Sequence, residues 1–310
     1  MKIIALAGGV GGAKLAHGLA QIILPENLTI IVNTGDDFEH LGLSISPDLD
    51  TVCYTLAGLE NPLTGWGRAD ESWQVFDNVA LLGGPDWFRL GDRDLGTHLE
   101  RMRRLRKGDS LSQITHDFCK AWSVGHSVLP MTDDSLHTIV NTEGQGELSF
   151  QEYFVHQGCE PSVTGFRFEG AENALPAPGV IEAIANADAV VFCPSNPWVS
   201  IDPILVVAGI KSACKSKPII AVSPIIGGKA LKGPAAKMYL ELGIQPSVLA
   251  VAEHYQEILS GLVFDQIDAE TEPAIKALGL KTFVTDTIMQ DAKGRYRLAK
   301  DVLDFVNIIF

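Results

Sequence analysis

The segment Leu6–Ala20, L-A-G-G-V-G-G-A-K-L-A-H-G-L-A, sets four glycines, Gly8, Gly9, Gly11 and Gly12, between an apolar run and a helical pattern. Residues 2–7 (K-I-I-A-L-A) read as a buried strand. Residues 12–24 read as a helix with Leu15, Leu19 and Ile22 on one face, and 28–33 (L-T-I-I-V-N) as a second strand. Strand, glycine turn, helix, strand is the opening of a parallel sheet, because parallel neighbours need a crossover between them.

The rhythm breaks near residue 60. Helical stretches at 71–82, 93–106 and 110–122 are followed by strand-like runs at 136–142 and 162–168, and the turn-rich N-A-L-P-A-P-G-V closes the region at 173–180. Strands resume at 189–193 and 218–223, with weaker candidates at 248–252 and 281–284. Helices fit at 203–214, 234–243, 253–260, 268–278 and 299–308. The expected fold is α/β: a Rossmann-like, mostly parallel, doubly wound sheet with helices on both faces. Its core covers 1–60 and 178–310, an α+β cap is inserted at about 61–177, and residues 1–310 form one catalytic domain.

The glycine loop fits neither standard nucleotide fingerprint. A dinucleotide loop needs a third glycine where Lys14 stands, and a Walker loop needs Gly and Ser or Thr where Ala13 and Leu15 stand. Hydride chemistry and ordinary P-loop hydrolysis therefore lose ground. The physics of anion binding survives without either pattern. Glycines let backbone amides approach an anion, the helix start adds its positive end, and Lys14 adds a charge. The plainer reading is a tight turn that packs a helix on a strand.

Net charge is −14, which disfavours nucleic-acid binding, so any polyanion must be held locally by placed cations or a metal. No apolar run reaches the length of a membrane span, and the chain reads as cytoplasmic. Cys53, Cys119, Cys159, Cys193 and Cys214 form no C-x-x-C and read as reduced, mostly buried thiols. The histidine spacings give a zinc site little support.

Ligands of open α/β sheets collect beyond the carboxyl ends of the strands, so the loops there carry the functional candidates. T-G-D-D-F-E-H (34–40) offers Asp36 and Asp37, where a dinucleotide fold would place a ribose acceptor, and S-I-S-P-D-L-D-T (44–51) offers Asp48 and Asp50. The four carboxylates suit Mg²⁺ or a hydroxyl, against the plainer readings of a surface turn and an N-cap at Asp50 or Thr51. P-S-N-P-W-V-S-I-D-P (194–203) offers Ser195, Asn196 and Ser200. P-I-I-G-G-K-A-L-K-G-P-A (224–235) is a second glycine-lysine loop with Gly227, Gly228, Lys229 and Lys232, which suits a diphosphate better than a monophosphate. Arg89 and Arg93 stand among aromatic residues and could clamp an anion or stack on a flat ring. In H-L-E-R-M-R-R-L-R-K (98–107), Leu95, Leu99, Met102 and Leu105 share one helical face, and the arginines read as a solvated face opposite. Glycine loops, cations and carboxylates without a hydrolase or kinase signature suit transfer of a phosphorus-centred group.

A-G-G-V-G-G-A-K (7–14), N-T-G-D-D (33–37), S-P-D-L-D-T (46–51), L-G-D-R-D-L (90–95), F-Q-E-Y-F-V (150–155), P-S-N-P (194–197), S-I-D-P-I-L (200–205) and S-P-I-I-G-G-K-A-L-K-G-P-A (223–235) occur in this order. Together they resemble the 2-phospho-L-lactate transferase family over nearly the whole chain. The resemblance implies transfer of the phospholactyl group from lactyl-2-diphospho-5′-guanosine to the ribityl hydroxyl of the deazaflavin Fo. GMP is released, and coenzyme F-420 without its glutamates is formed. It also implies Mg²⁺ and a homodimer, and some members take the phosphoenolpyruvyl donor. Carried over by position, Asp50 and Arg89 contact Fo, with Asp50 orienting the hydroxyl. Asp36, Asp37 and Asp50 are metal candidates. Gly8, Gly9, Gly11, Gly12, Lys14, Ser195, Asn196, Gly227, Gly228, Lys229 and Lys232 are candidates for the nucleotide diphosphate. The rival is a related group of nucleotide-sugar-binding regulators without transferase activity.

Overall fold

The computed structural model describes residues 1–309. The chain opens with β1 (Ile3–Ala7), α1 (Gly9–Ala20) and β2 (Leu28–Val32), then a short hairpin of β3 (Phe38–His40) and β4 (Leu43–Ile45). Four helices follow: α2 (Pro47–Ala57), α3 (Gln74–Leu81), α4 (Asp92–Leu105) and α5 (Leu111–Ala121). Next come β5 (Ser127–Pro130), β6 (His137–Thr142), β7 (Gly146–Ser149), β8 (Val163–Glu169), α6 (Val180–Asn186) and β9 (Ala189–Phe192). The remainder is α7 (Asp202–Val206), α8 (Ile210–Lys215), β10 (Ile219–Val222), the hairpin β11 (Ile225–Ile226) and β12 (Lys229–Ala230), α9 (Ala235–Glu241), α10 (Val248–Tyr255), β13 (Gly261–Asp265), α11 (Glu272–Ala277), β14 (Lys281–Thr285) and α12 (Ala292–Ile309).

The main sheet has seven strands in the order β14-β13-β10-β9-β1-β2-β5, and every neighbouring pair is parallel. β1, β9, β10 and β13 are buried at every position, as strands covered on both faces must be. Alternate residues of β1 serve two cores. Ile4 and Leu6 face one with α6, α8 and α10; Ile3, Ala5 and Ala7 face the other with α1 and α12. A separate antiparallel sheet, β7-β6-β8, joins the first core through Val140, Leu148 and Val163.

The doubly wound parallel fold is as the sequence predicts, with four local differences. Val248–Ala252 is helix, because Ser247 caps it by accepting from the Ala250 amide at 3.0 Å; an apolar run of five fits strand or buried helix equally until the cap decides. The strand there is instead the short buried run G-L-V-F-D of β13. The stretch 203–214 is two helices, broken where Val207 turns extended and Gly209 takes a φ of +82°. Within the region 61–177, Ser127–Pro130 pairs with β2 as the sheet's edge strand. All five cysteines are free thiols, with Cys159 half-buried and the others buried.

α1 lies against α12 so closely that a Cβ on Gly18 would stand 2.2 Å from the Arg295 carbonyl oxygen. Gly18→Ala gains about 1 kcal/mol of helix propensity but meets backbone, and overpacking costs about 1–3 kcal/mol. Net destabilisation, read as a lower urea midpoint at unchanged m-value, is the expected result. A midpoint at or above wild type would show that α12 does not press on α1.

Candidate active site

The strand order reverses between β1 and β9, so the loops leaving their carboxyl ends diverge and open a crevice. A cavity of about 880 Å³ lies there, lined from the first glycine loop by Gly8, Gly9, Gly11 and Lys14 and from the loop after β9 by Ser195 and Asn196. Lys232 reaches it from the second glycine-lysine loop, and Asp36, Asp50 and Arg89 also line it. Gly12, Asp37, Gly227, Gly228 and Lys229 do not form its wall. Gly12 lies beneath the loop, where a Cβ would stand 2.8 Å from Ser195 Oγ. Gly227 and Gly228 make the β11–β12 turn, with the Gly227 amide donating to Asp268 at 2.9 Å, and Lys229 is exposed.

The first glycine loop is shaped by what presses on it. A Cβ on Gly11 would come within 2.2 Å of the Pro194 carbonyl oxygen, and Gly9 has a φ of +64°. The Gly9 amide donates to Asp48 Oδ1 at 2.6 Å, and Ser195 Oγ donates to the Gly8 carbonyl at 2.8 Å. Lys14 Nζ donates to the Met289 carbonyl at 2.8 Å; burial lowers its pKa, helped by the nearby charges of Arg295 and Lys232. Lys232 Nζ is tied to the Thr64 carbonyl.

Three buried carboxylates, Asp36, Asp48 and Asp50, and the half-buried Asp37 stand beside this loop. Asn33 Nδ2 donates to Asp36 Oδ1 at 3.1 Å and to Asp48 Oδ2 at 2.9 Å, bridging the two. Burial, then repulsion from Asp48 and Asp37, raises the Asp36 pKa well above the carboxylate range. Burial lifts Asp48 to about 6 and also raises Asp37, whose Oδ2 accepts from Ser46 Oγ at 2.6 Å. Asp50 points elsewhere, because residues two apart on a helix lie about 200° around it. Its Oδ2 accepts from Arg101 Nη1 at 3.0 Å and its Oδ1 from Arg101 Nη2. Burial opposes the Arg101 charge, but Asp50 more than offsets this and the pKa is raised.

That pair overturns the solvated-face reading of α4. Thr97, His98 and Arg101 are its buried residues, while Leu99 is 53% exposed. An arginine is placed inside because a buried carboxylate on α2 needs its charge; helical periodicity of apolar residues carries no trace of this. His98 sits beside the pair, with Nδ1 3.1 Å from Arg101 Nη1 and Nε2 3.4 Å from Asp94 Oδ1. Tyr54 donates to the same Asp94 oxygen at 2.7 Å.

Part of the cavity wall is aromatic. Phe88, Phe150 and Phe154 line it, the last two rings stacked 5.4 Å apart at 7°. Phe88 meets Phe38 edge-on at 4.9 Å. The exposed Arg89 lays its guanidinium 4.2 Å from the Trp73 ring centre and forms no ion pair among the described residues.

Residues 3–290 match the family model described as 2-phospho-L-lactate transferase CofD. A phosphoenolpyruvate transferase of Streptomyces griseus is 42% identical, over 98% of this chain and 98% of the relative. A 2-phospho-L-lactate transferase of Methanopyrus kandleri is 39% identical, over 99% and 98%. The chain belongs to the 2-phospho-L-lactate transferase family. It is a transferase of that family. Its fold is also similar to that of a Bacillus halodurans protein, described as a member of the UPF0052 family, with a TM-score of 0.63 at 18% identity over 97% of this chain and 98% of the other.

In this transferase the carboxylates named from sequence do not converge as a set. Among the described residues no group of three or more acidic, histidine or cysteine side chains is poised to hold a metal. Asp36 instead shares its amide donor with Asp48, and both border the cavity. Two mutually repelling, desolvated carboxylates fit a Mg²⁺ that takes its remaining ligands from water and phosphate. Sequence reasoning noted Asp48 but passed over its link to the glycine loop. It also missed Asn33, Asp94, His98 and Arg101; only the D-x-D spacing on a helix, with its opposite-facing carboxylates, hinted at a second acidic contact.

A carboxyl group whose folded pKa exceeds its unfolded one binds more protons folded, so stability falls as pH rises between the two values. For Asp48 that window runs from 3.8 to about 6. Between pH 4 and pH 7 in EDTA, the unfolding free energy should fall less in Asp48→Asn than in wild type, by on the order of 2–3 kcal/mol. Parallel curves for the two proteins would show that Asp48 is not a strained charge.

Proposed function

We propose that this transferase moves the 2-phospho-L-lactyl group from lactyl-2-diphospho-5′-guanosine to the terminal ribityl hydroxyl of the deazaflavin Fo, a step of coenzyme F-420 synthesis. What carries the reading is one cavity lined by two chemically different sets of groups. The glycine loop, Lys14 and Lys232 line it together with the aromatic rings of Phe88, Phe150 and Phe154, Arg89 and Asp50. The first suits a nucleoside diphosphate, the second a flat ring with a hydroxyl tail. The hydroxyl oxygen bonds to the phosphorus bearing the lactyl group. The bond from that phosphorus to the bridging oxygen breaks, GMP leaves with the electron pair, and the hydroxyl proton passes to a base. Asp50, fixed by Arg101, aims the hydroxyl, while Lys14 and Lys232 balance the diphosphate charge.

Mg²⁺, held by Asp36 and Asp48 with phosphate oxygens, would neutralise charge on the transferring group. Both donor names occur among the relatives, so the phosphoenolpyruvyl ester is the second donor to test. The family's transferase names at this identity weigh against the regulatory alternative. The homodimer implied by the resemblance belongs to the same proposal.

The test is purified protein with Fo and each guanosine diphosphate ester, following GMP release. Turnover with one donor, stopped by EDTA and restored by Mg²⁺, is expected. No GMP from either donor would overturn the reading, and turnover indifferent to EDTA would remove the metal from it.

Asp50→Ala should abolish transfer, yet it strands the Arg101 charge in the interior and should also cost about 3–5 kcal/mol of stability. Asp50→Asn keeps the shape but also removes the charge facing Arg101, so its rate is read together with its thermal unfolding. Its transfer rate should drop by about 100-fold or more with Fo still bound. A near-normal rate in folded Asp50→Asn would remove Asp50 from the chemistry.

A further inference from the structure

Resting on the proposed transfer reaction, a second question can be asked of the cavity wall: where the hydroxyl proton goes. Asp50 is poorly placed to keep it, since both of its oxygens already accept from Arg101. His98 is the one histidine on the wall among the described residues, and it is 1% exposed. Its Nδ1 lies 3.7 Å from Asp50 Oδ2, so an alcohol held against that oxygen meets the imidazole next.

The tautomer follows from the neighbours. Arg101 can only donate, so Nδ1, 3.1 Å from Arg101 Nη1, carries the lone pair. The proton is then on Nε2, which faces Asp94 Oδ1 at 3.4 Å. Arg101 Nη1 is shared among Asp50 Oδ2, His98 Nδ1 and the Ser44 carbonyl, so the bond to the imidazole is the kind a substrate can displace. Asp94 is itself fixed by Tyr54 at 2.7 Å. A base whose far nitrogen faces an anchored carboxylate, and whose near nitrogen borders the nucleophile's seat, is the arrangement of a general base with its orienting partner.

We propose that His98 accepts the proton of the attacking hydroxyl, with Asp50 aiming that hydroxyl and Asp94 steadying the imidazolium. The hydroxyl oxygen bonds to phosphorus as its O–H bond breaks, the proton moves to Nδ1, and GMP departs with the electrons of the bridging P–O bond. The imidazolium then returns the proton to water or to the departing phosphate. The competing role is structural: His98 would only supply an acceptor to Arg101, which glutamine also does.

The experiment compares wild type, His98→Gln, His98→Ala and Asp94→Asn in the GMP-release assay, with thermal unfolding of each. His98→Gln should lose about 10²–10⁴-fold in kcat with the KM for Fo changed less than about threefold. Added imidazole should restore His98→Ala saturably, which packing alone does not explain. Asp94→Asn should lower kcat with Fo KM held, and it carries the test if the histidine variants do not fold. A folded His98→Gln at wild-type kcat, no imidazole response in folded His98→Ala, or full rate in Asp94→Asn would overturn the assignment. Wild-type failure with both donors overturns the transfer reading and this inference with it; wild-type turnover beside a full-rate His98→Gln overturns this inference alone.

Discussion

A hydrogen in place of a side chain at Gly11 lets the start of α1 lie against the Pro194 carbonyl, and the site follows from that contact. β1 and β9 are neighbours whose chains leave in opposite directions, so only a helix start this slender fits between their loops. The fit sets Ser195 against Gly8 and brings the first turn of α2 close enough for Asp48 to take the Gly9 amide. A methyl group at Gly11 would displace backbone, not a side-chain tip, so the loop cannot absorb it locally. The plain packing reading of these glycines and the anion-binding reading are therefore one geometry, since close approach of main chain is what both need.

The electrostatics of the pocket are unbalanced by design of its burial. Asp36, Asp48 and Asp50 border one cavity in a chain already carrying −14, and only Asp50 has an internal cation of its own. Burial pushes both Asp36 and Asp48 upward instead, and repulsion from its neighbours adds to the shift of Asp36. The opposite holds at Lys14, where burial and neighbouring cations push the ammonium toward neutrality. Like charges are thus gathered on two sides of one space. A folded chain tolerates such gathering at a cost, and a ligand carrying both a cation and a polyanion relieves both sides together.

The fold was legible where a strand was a nearly unbroken apolar run. β1, β2, β9 and β10 announce themselves as apolar runs beside turn residues, and the α/β class follows from them. β5 and β13 escaped because S-V-L-P and G-L-V-F-D are bounded by serine, proline, glycine and aspartate, which leaves only two or three apolar residues in each and no alternation. In the site, Asp50 and Arg89 were legible through resemblance, and Lys14 and Lys232 through their loops. Arg101 was not: its environment is set by Asp50, fifty-one residues earlier, and no local pattern encodes a partner across the fold. The second glycine loop divides between hairpin and cavity. Gly227 and Gly228 make the β11–β12 turn away from the cavity, while Ile226, Ala230, Lys232 and Gly233 line it.

Placement of the aromatic and acidic groups also bears on selectivity. Phe88 and Arg89 follow α3, a helix with no buried residue, and are fixed by contacts at their own level: Phe88 on Phe38, and Arg89 on Trp73. The acidic floor, in contrast, is built from α2 and α4, where Tyr54, Asp94, His98, Arg101 and Asp50 hold one another through buried polar contacts. A rigid floor beneath a wall carried on a lightly packed helix separates two tasks. Positioning of a reacting atom needs the floor, because misplacement by an ångström is costly. Accommodation of a broad flat ring needs only stacking, which tolerates small displacement. Substitutions at the wall should then act on substrate choice before rate, and substitutions in the floor on rate before choice.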